Sequence, residues 1–252
     1  MKVLAITQAR TGSSRLPGKV LKTIAGKTLL QIHLERVLKS QRIDQLLVAT
    51  TVDPADDAIE TLVKGMNLPL YRGSVKNVLD RFYQAALPYQ PDWVVRLTSD
   101  CPLMDPALID EMIDAALEKN TDYCSNGMQP TFPDGLDIEV FKFTALEKAW
   151  HEATSDSDKE HVTPYIYNQS NFKQQNLFTA FNFAFESNYE KVRLTVDESF
   201  DFEVIKILIE QLGMHKDWKT YADYYRSNDL VKGINQHINR NEGYRNSLKN
   251  NS

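Results

Sequence analysis

Apolar residues alternate along the chain between two rhythms, a short continuous run and a helical spacing. Residues 3–9 form an apolar, β-capable run ended by Thr11-Gly12-Ser13-Ser14, which predicts a buried strand followed by a turn. Residues 28–38 then place Leu29, Leu30, Ile32, Leu34 and Val37 at helical spacing. Residues 46–50 predict a second strand, and Asp53-Pro54 opens a helix with proline at its first position. The pattern continues as a weak strand at 68–72, a helix at 75–87, a strand at 93–97 and a helix at 106–118. Such alternation predicts βαβ units and an α/β fold with a mostly parallel sheet. Ligands of these sheets bind outside the carboxyl ends of the strands. The loop at 10–19 and Asp100 both follow predicted strands, so one cleft can hold them.

The second half is more mixed. Strands are expected at 138–141, 178–185 and 192–196, and helices at 144–151 and 202–212. Phe178, Phe181, Phe183 and Phe185 read as core or dimer surface, and Tyr221, Tyr224 and Tyr225 as packing on a C-terminal helix. The last dozen residues, 241–252, are asparagine-rich with little apolar content and are expected to be a mobile tail. No repeat, low-complexity tract or linker divides the chain, so one domain with an inserted substrate lobe is expected.

Composition narrows the function classes. The 252 residues carry a net charge of −5 and are 42% hydrophobic, which fits a globular protein with a sizeable core and argues against a dedicated nucleic-acid binder. Apolar runs are too short for a membrane span or a signal-peptide core, and two cysteines, Cys101 and Cys124, make neither a disulfide framework nor a zinc site. A reduced, cytoplasmic protein without membrane partners is expected. Residues 1–40 are distinct: eight basic side chains face a single acid, Glu35, which suggests a site for a compact anion.

That basic stretch contains Gln8-Ala9-Arg10-Thr11-Gly12-Ser13-Ser14-Arg15-Leu16-Pro17-Gly18-Lys19. Gly12 and Gly18 permit turns, the serines offer hydroxyls beside exposed N–H groups, and Arg10, Arg15 and Lys19 supply charge. Together they can cradle a polyphosphate. Neither a Walker loop nor a dinucleotide fingerprint is present. Asp100 and Asp197 each end an apolar run, where a carboxylate serves either a hard metal ion such as Mg²⁺ or a helix N-cap. Cys101 reads as a small buried side chain, since no histidine is paired with it by sequence.

The run QARTGSSRLPGKVL with IAGKTLL after it resembles the start of sugar-activating cytidylyltransferases, closest to the spore-coat polysaccharide protein F branch and related to CMP-Kdo and CMP-sialic acid synthetases. VATT at 48–51, YRGS at 71–74, LDRF at 79–82, VRLTSDCPL at 95–103, GLDIEVF at 135–141, EHVTPYI at 160–166 and RLTVDESFDFEVI at 193–205 follow in the same order. The resemblance implies a GT-A-like Rossmannoid domain over residues 1–240 with a substrate and dimerisation lobe at about 128–190. It also implies Mg²⁺-dependent transfer from CTP to an acidic or modified sugar for surface or spore-coat polysaccharide, by a homodimer.

Carried over residue by residue, Arg10, Ser14, Arg15 and Lys19 would bind the triphosphate, with Arg15 or Lys19 stabilising the leaving pyrophosphate. Asp100 and Asp197 would hold the metal. Gln8, Ala9, Thr11, Gly12, Ser13, Ser74 and Thr98 complete the expected nucleotide-binding set. Thr98-Ser99 stands where CMP-Kdo synthetases have Gln-Gly. For the sugar the candidates are Asp134, Asp137, Glu139, His161 and Arg193. His161 could act as a base or be structural, and Arg193 could meet a sugar carboxylate or pair with a surface acid. A GT-A glycosyltransferase would place an Asp-x-Asp where Asp100-Cys101-Pro102 stands, and a nucleotide-binding scaffold would not need two metal ligands.

Overall fold

A computed structural model describes residues 1–240; the expected tail at 241–252 lies outside the described residues. In chain order, β1 (Val3–Gln8) leads through the site loop to a small hairpin, β2 (Thr23–Ile24) and β3 (Lys27–Thr28), and then to α1 (Leu29–Val37). Next come β4 (Gln45–Thr51), α2 (Asp57–Gly65), β5 (Leu70–Gly73), α3 (Val78–Ala86), β6 (Trp93–Thr98) and α4 (Pro106–Lys119). The second half contains β7 (Tyr123–Ser125), β8 (Glu139–Lys142), α5 (Phe143–Glu152), α6 (Asp156–His161), α7 (Pro164–Asn168) and β9 (Ala180–Asn182). It closes with α8 (Ser199–Leu212), α9 (Trp218–Ser227) and α10 (Asp229–Asn235). No helix among the described residues is long and apolar enough to cross a membrane.

Seven strands form one sheet in the order β5-β4-β1-β6-β8-β7-β9. Only β8 runs against its neighbours; the other pairs are parallel. Period-two alternation sends one face of each central strand to either side. Val3 and Ala5 join Leu30, Leu34, Ile109 and Met112 of α1 and α4, while Leu4 and Ile6 join Phe82, Leu146 and Ala149 of α3 and α5. Burial on both faces is why β1 reads as an unbroken apolar run. The chain winds from β1 through β4 to β5 on one side and places β6 on the other, so the strand order reverses between β1 and β6. There Gln8 stands opposite Thr98, and a crevice opens beyond them.

Helix starts follow local chemistry. Asp105 caps α4, accepting from the N–H of Ala107 at 2.9 Å ahead of Pro106, and Asn77 caps α3, accepting from Asp80 N–H at 2.9 Å. The helix expected at 75–87 therefore begins only at Val78, and Val75–Asn77 is left as a lip of the crevice.

Two expected strands are corrected. At 192–196 no strand forms beyond one bridge between Asp134 and Arg193, because the segment spends its backbone bonds on two loops. Leu194 N–H donates to Asp134 O at 2.7 Å and Val196 N–H to Asp100 O at 2.8 Å. Gly135, at φ +104°, makes the first contact possible: a Cβ there would lie 2.4 Å from Thr195 N. At 178–185 only β9 pairs in the sheet. Phe183 and Phe185 leave it to pack on Phe132, with ring centroids 5.9 and 5.6 Å apart. Residues 128–190, the expected lobe, supply β8 and β9 to the central sheet and α5–α7 to its flank.

Candidate active site

A cleft of about 820 Å³ opens at the carboxyl ends of β1 and β6. Its lining includes seven cations, Arg10, Arg15, Lys19, Lys76, Arg81, Arg96 and Lys159, and four carboxylates, Asp100, Asp156, Glu160 and Asp197. Gln8, Ala9, Ser13, Ser14, Thr98, Ser99 and His161 complete much of the wall.

The loop after β1 is fixed from behind. Thr11 donates from its N–H and its hydroxyl to one Asp56 oxygen, both at 2.7 Å, and Thr51 holds the other at 2.5 Å. The Thr11 carbonyl accepts from Ser13 N–H at 2.8 Å and Gly18 N–H at 2.9 Å, which closes the loop. Gly18 has a left-handed φ of +66° here, which glycine adopts without strain; Gly12 is outside that region, and a Cβ there would meet nothing within 4 Å. Thr11 therefore braces the loop from outside the lining, where Gly12 also lies, while Arg10, Ser13, Ser14 and Arg15 face the cleft.

Beyond Gly18 a 3-10 turn, Lys19–Leu21, buries Lys19 and carries its ammonium between the two expected acids. Lys19 Nζ donates to Asp100 Oδ2 and to Asp197 Oδ1, each at 2.9 Å. Burial would lower the lysine's pKa, but the two carboxylates outweigh it and hold the ammonium charged. Burial likewise works against the Asp100 carboxylate, and Lys19 overcomes it, keeping that carboxyl well below the usual range. Neither aspartate is a helix N-cap: Asp105 caps α4 and Glu198 caps α8. The Val196–Asp100 backbone bond is what brings Asp197 beside Asp100.

Both carboxylates converge on one cationic centre, and a hard ion such as Mg²⁺ takes one or two carboxylates and completes its shell with phosphate oxygens and water. The donor set fits that ion. Among the described residues no group of three or more metal-binding side chains converges, so a substrate would have to supply the rest.

The floor and far wall hold residues that sequence reasoning missed. Arg96 sits on β6 among buried apolar neighbours; its Nε donates to Gln8 Oε1 at 3.2 Å and its Nη1 pairs with Glu139. Glu139 also accepts from Tyr123 OH at 2.6 Å and Thr163 Oγ1 at 2.5 Å. It lies behind the lining and positions Arg96. Arg81, only 2% exposed, donates to the Ser74 carbonyl at 2.6 Å, so Ser74 supports the lip from outside the lining. An arginine inside VVRLT and another inside LDRF are the sequence signals: a cation at an otherwise core-facing position.

His161 ends α6 on the cleft wall. Burial lowers its pKa, with Glu160 and Glu139 pulling upward and Arg96 downward. Val162 after it has φ +73° and is fully buried, with Thr163 N–H donating to His161 O at 2.9 Å across it. A β-branched residue in that conformation is strained, and the packing around the buried Val162 sustains it.

Of the five expected sugar contacts only His161 lines the cleft; besides Glu139, three more lie elsewhere. Arg193 is 4% exposed and pairs with Asp134, Asp197 and Asp201, so neither a sugar carboxylate nor a surface acid is its partner. Asp134 is buried in that network, and Asp137 pairs with Arg240. Cys101 and Cys124 are buried free thiols, and burial pushes Cys101 well above its ordinary pKa.

His33, also missed, ties α1 to the Asp100 loop. Its Nδ1 donates to Cys101 O at 2.8 Å, which leaves Nε2 to accept from the Thr7 hydroxyl at 3.0 Å. Burial lowers its pKa from the ordinary 6.5 to about 4. Between those values the unfolded chain binds a proton that the folded protein does not, so stability falls as pH drops through this window. By about pH 5 the loss from this residue is on the order of 2 kcal/mol. Urea unfolding at about pH 7.5 and pH 5 is expected to show a smaller acid loss in His33→Gln than in wild type. Equal losses would assign the acid sensitivity elsewhere.

The sequence matches the family model described as cytidylyltransferase over residues 4–230. It is 40% identical to an uncharacterised protein of Methanocaldococcus jannaschii over 97% of this chain and 98% of that one. It is 35% identical to the spore coat polysaccharide biosynthesis protein SpsF of Bacillus subtilis over 85% of this chain and 89% of that one. A solved cytidylyltransferase from Leptospira borgpetersenii superimposes with a TM-score of 0.86 at 33% identity, covering 92% of this chain and 96% of that one. The cleft thus lies in a nucleotidyltransferase, and the chain belongs to the cytidylyltransferase family.

Proposed function

We propose that the enzyme transfers the cytidylyl group of CTP to a hydroxyl of an acidic or otherwise modified sugar, with Mg²⁺, releasing pyrophosphate. The observation that carries this reading is the convergence of Lys19, Asp100 and Asp197 at the mouth of a cationic cleft. In it, Arg10, Arg15 and the Ser13–Ser14 hydroxyls bind the triphosphate oxygens, and Gln8, Ala9 and Thr98 form the crevice between the strand ends. Asp100 and Asp197 would hold Mg²⁺, which when bound offsets negative charge gathering on the α-phosphate.

The sugar hydroxyl attacks the α-phosphorus; the new P–O bond forms as the bond to the β-phosphate oxygen breaks. Arg15 faces the leaving pyrophosphate. His161, neutral near pH 7 because burial disfavours its charged form, is the wall residue suited to take the hydroxyl proton. Arg96, held by Glu139, and Lys159 offer charge to an acidic acceptor. The SpsF relative's name supports surface polysaccharide as the product's destination. The reading includes a cytoplasmic homodimer, in keeping with two buried free thiols and the family resemblance.

Pyrophosphate release measured with Mg²⁺ tests it, comparing CTP, UTP, GTP and ATP across 3-deoxy and nonulosonic acids. Release with CTP and one such acid is expected. Hydrolysis of a ready-made nucleotide sugar, without pyrophosphate release, would replace the reading with that of a glycosyltransferase.

A further inference from the structure

We propose that Lys19 is a placeholder cation: its ammonium keeps Asp100 and Asp197 in register and keeps a divalent ion out of the pair until a triphosphate draws the ammonium away. The inference rests on the reading of those two aspartates as metal ligands. Lys19 reaches both carboxylates at 2.9 Å, and its side chain is only 10% exposed. Its backbone is fixed by the turn at Gly18, whose N–H is bound to Thr11 O at 2.9 Å. The ammonium is therefore seated where both carboxylates converge.

Charge balance explains the exclusion. Asp197 also pairs with Arg15 at 3.1 Å and Arg193 at 3.2 Å, so three cations touch two carboxylates. A free divalent ion meets a site already compensated, and to enter it must displace an ammonium that repels it at short range. A triphosphate changes both terms. It brings negative charge, and its oxygens accept from the ammonium, which has three donors and uses two on the aspartates. Lysine suits the task because its compact charge on a flexible stem can move between partners, whereas arginine's planar fork is shaped for one bidentate seat.

Mn²⁺ binding to the full chain tests this by electron paramagnetic resonance, which separates free, CTP-bound and protein-bound Mn²⁺. Without nucleotide, Lys19→Met is expected to bind Mn²⁺ at least about tenfold more tightly than wild type. Adding Asp197→Asn to that variant is expected to abolish the gain. Wild type is expected to show protein-bound Mn²⁺ when CTP is added. Equal nucleotide-free affinities in wild type and Lys19→Met overturn the placeholder and leave the metal site standing. If Lys19→Met does not fold, wild type decides: Mn²⁺ bound as tightly without CTP as with it overturns the proposal. Protein-bound Mn²⁺ in no sample removes the metal assignment and the placeholder together.

Discussion

Asp100→Asn is expected to lower turnover by about 10²–10³-fold while leaving the folded protein intact, on the scale of losing one well-placed electrostatic group in an active site. The substitution is nearly isosteric, and the backbone bonds that fix this loop, Val196 N–H to Asp100 O and Cys101 N–H to Thr98 O, are untouched. Lys19 keeps its bond to Asp197, so no buried ammonium is left unpaired. What is lost is one of the two negative charges that face the cleft at a shared point. In the proposed reaction that charge is needed only when a metal and the α-phosphate are both present, so the deficit falls on turnover more than on CTP affinity. Pyrophosphate release at saturating CTP, with CTP binding measured separately by calorimetry, checks the split. Turnover within a few-fold of wild type would exclude Asp100 from the metal site.

The parts of this design legible in the sequence are those where one local rule acts alone. β1, β4 and β6 are buried on both faces, so their runs are largely apolar, broken in β6 by Arg96, and the parallel half of the sheet could be read from them. The Arg10–Lys19 loop is dense in glycine, hydroxyl and cation, and the structure carries its three cations and both serines to the cleft. What was hidden depends on pairings between distant segments. β8 lies antiparallel between β6 and β7, and nothing in Glu139–Lys142 states its direction. Residues 192–196 have strand composition, yet two loops take their hydrogen bonds. Glu139 and Arg193 look alike in sequence, as charged residues at the ends of apolar runs that could face a sugar. One turns back to hold Arg96 and the other enters a buried carboxylate cluster. Periodicity assigns a face to a side chain; it does not name the partner that the rest of the chain brings to that face.

The Arg193 cluster supports the second prediction of large effect. Arg193→Met is expected to cost about 3–5 kcal/mol of stability, the usual penalty for removing one partner of a buried ion pair. The guanidinium donates to both oxygens of Asp201, at 2.8 and 2.9 Å, and to Asp134 at 2.5 Å. Asp201 is 0% exposed and Asp134 6%, so both carboxylates would lose their counter-ion away from water. Burial works against the ionised Asp201, and Arg193 outweighs it. Asp201 keeps its bonds from Asp197 N–H, Glu198 N–H and Asn235 Nδ2, each at 3.0 Å, which limits the damage to the charge itself. Lysine would restore the charge without the planar fork, so Arg193→Lys is expected to recover only part of the loss. Urea unfolding of the two variants checks the order. A cost below about 1 kcal/mol for Arg193→Met would mean that the carboxylates take up protons or water at little expense. Because the same guanidinium touches Asp197 at 3.2 Å, the variant should also lose turnover at temperatures where it is fully folded. The cluster that holds residues 192–201 together also holds Asp197, one of the two carboxylates proposed to bind the metal.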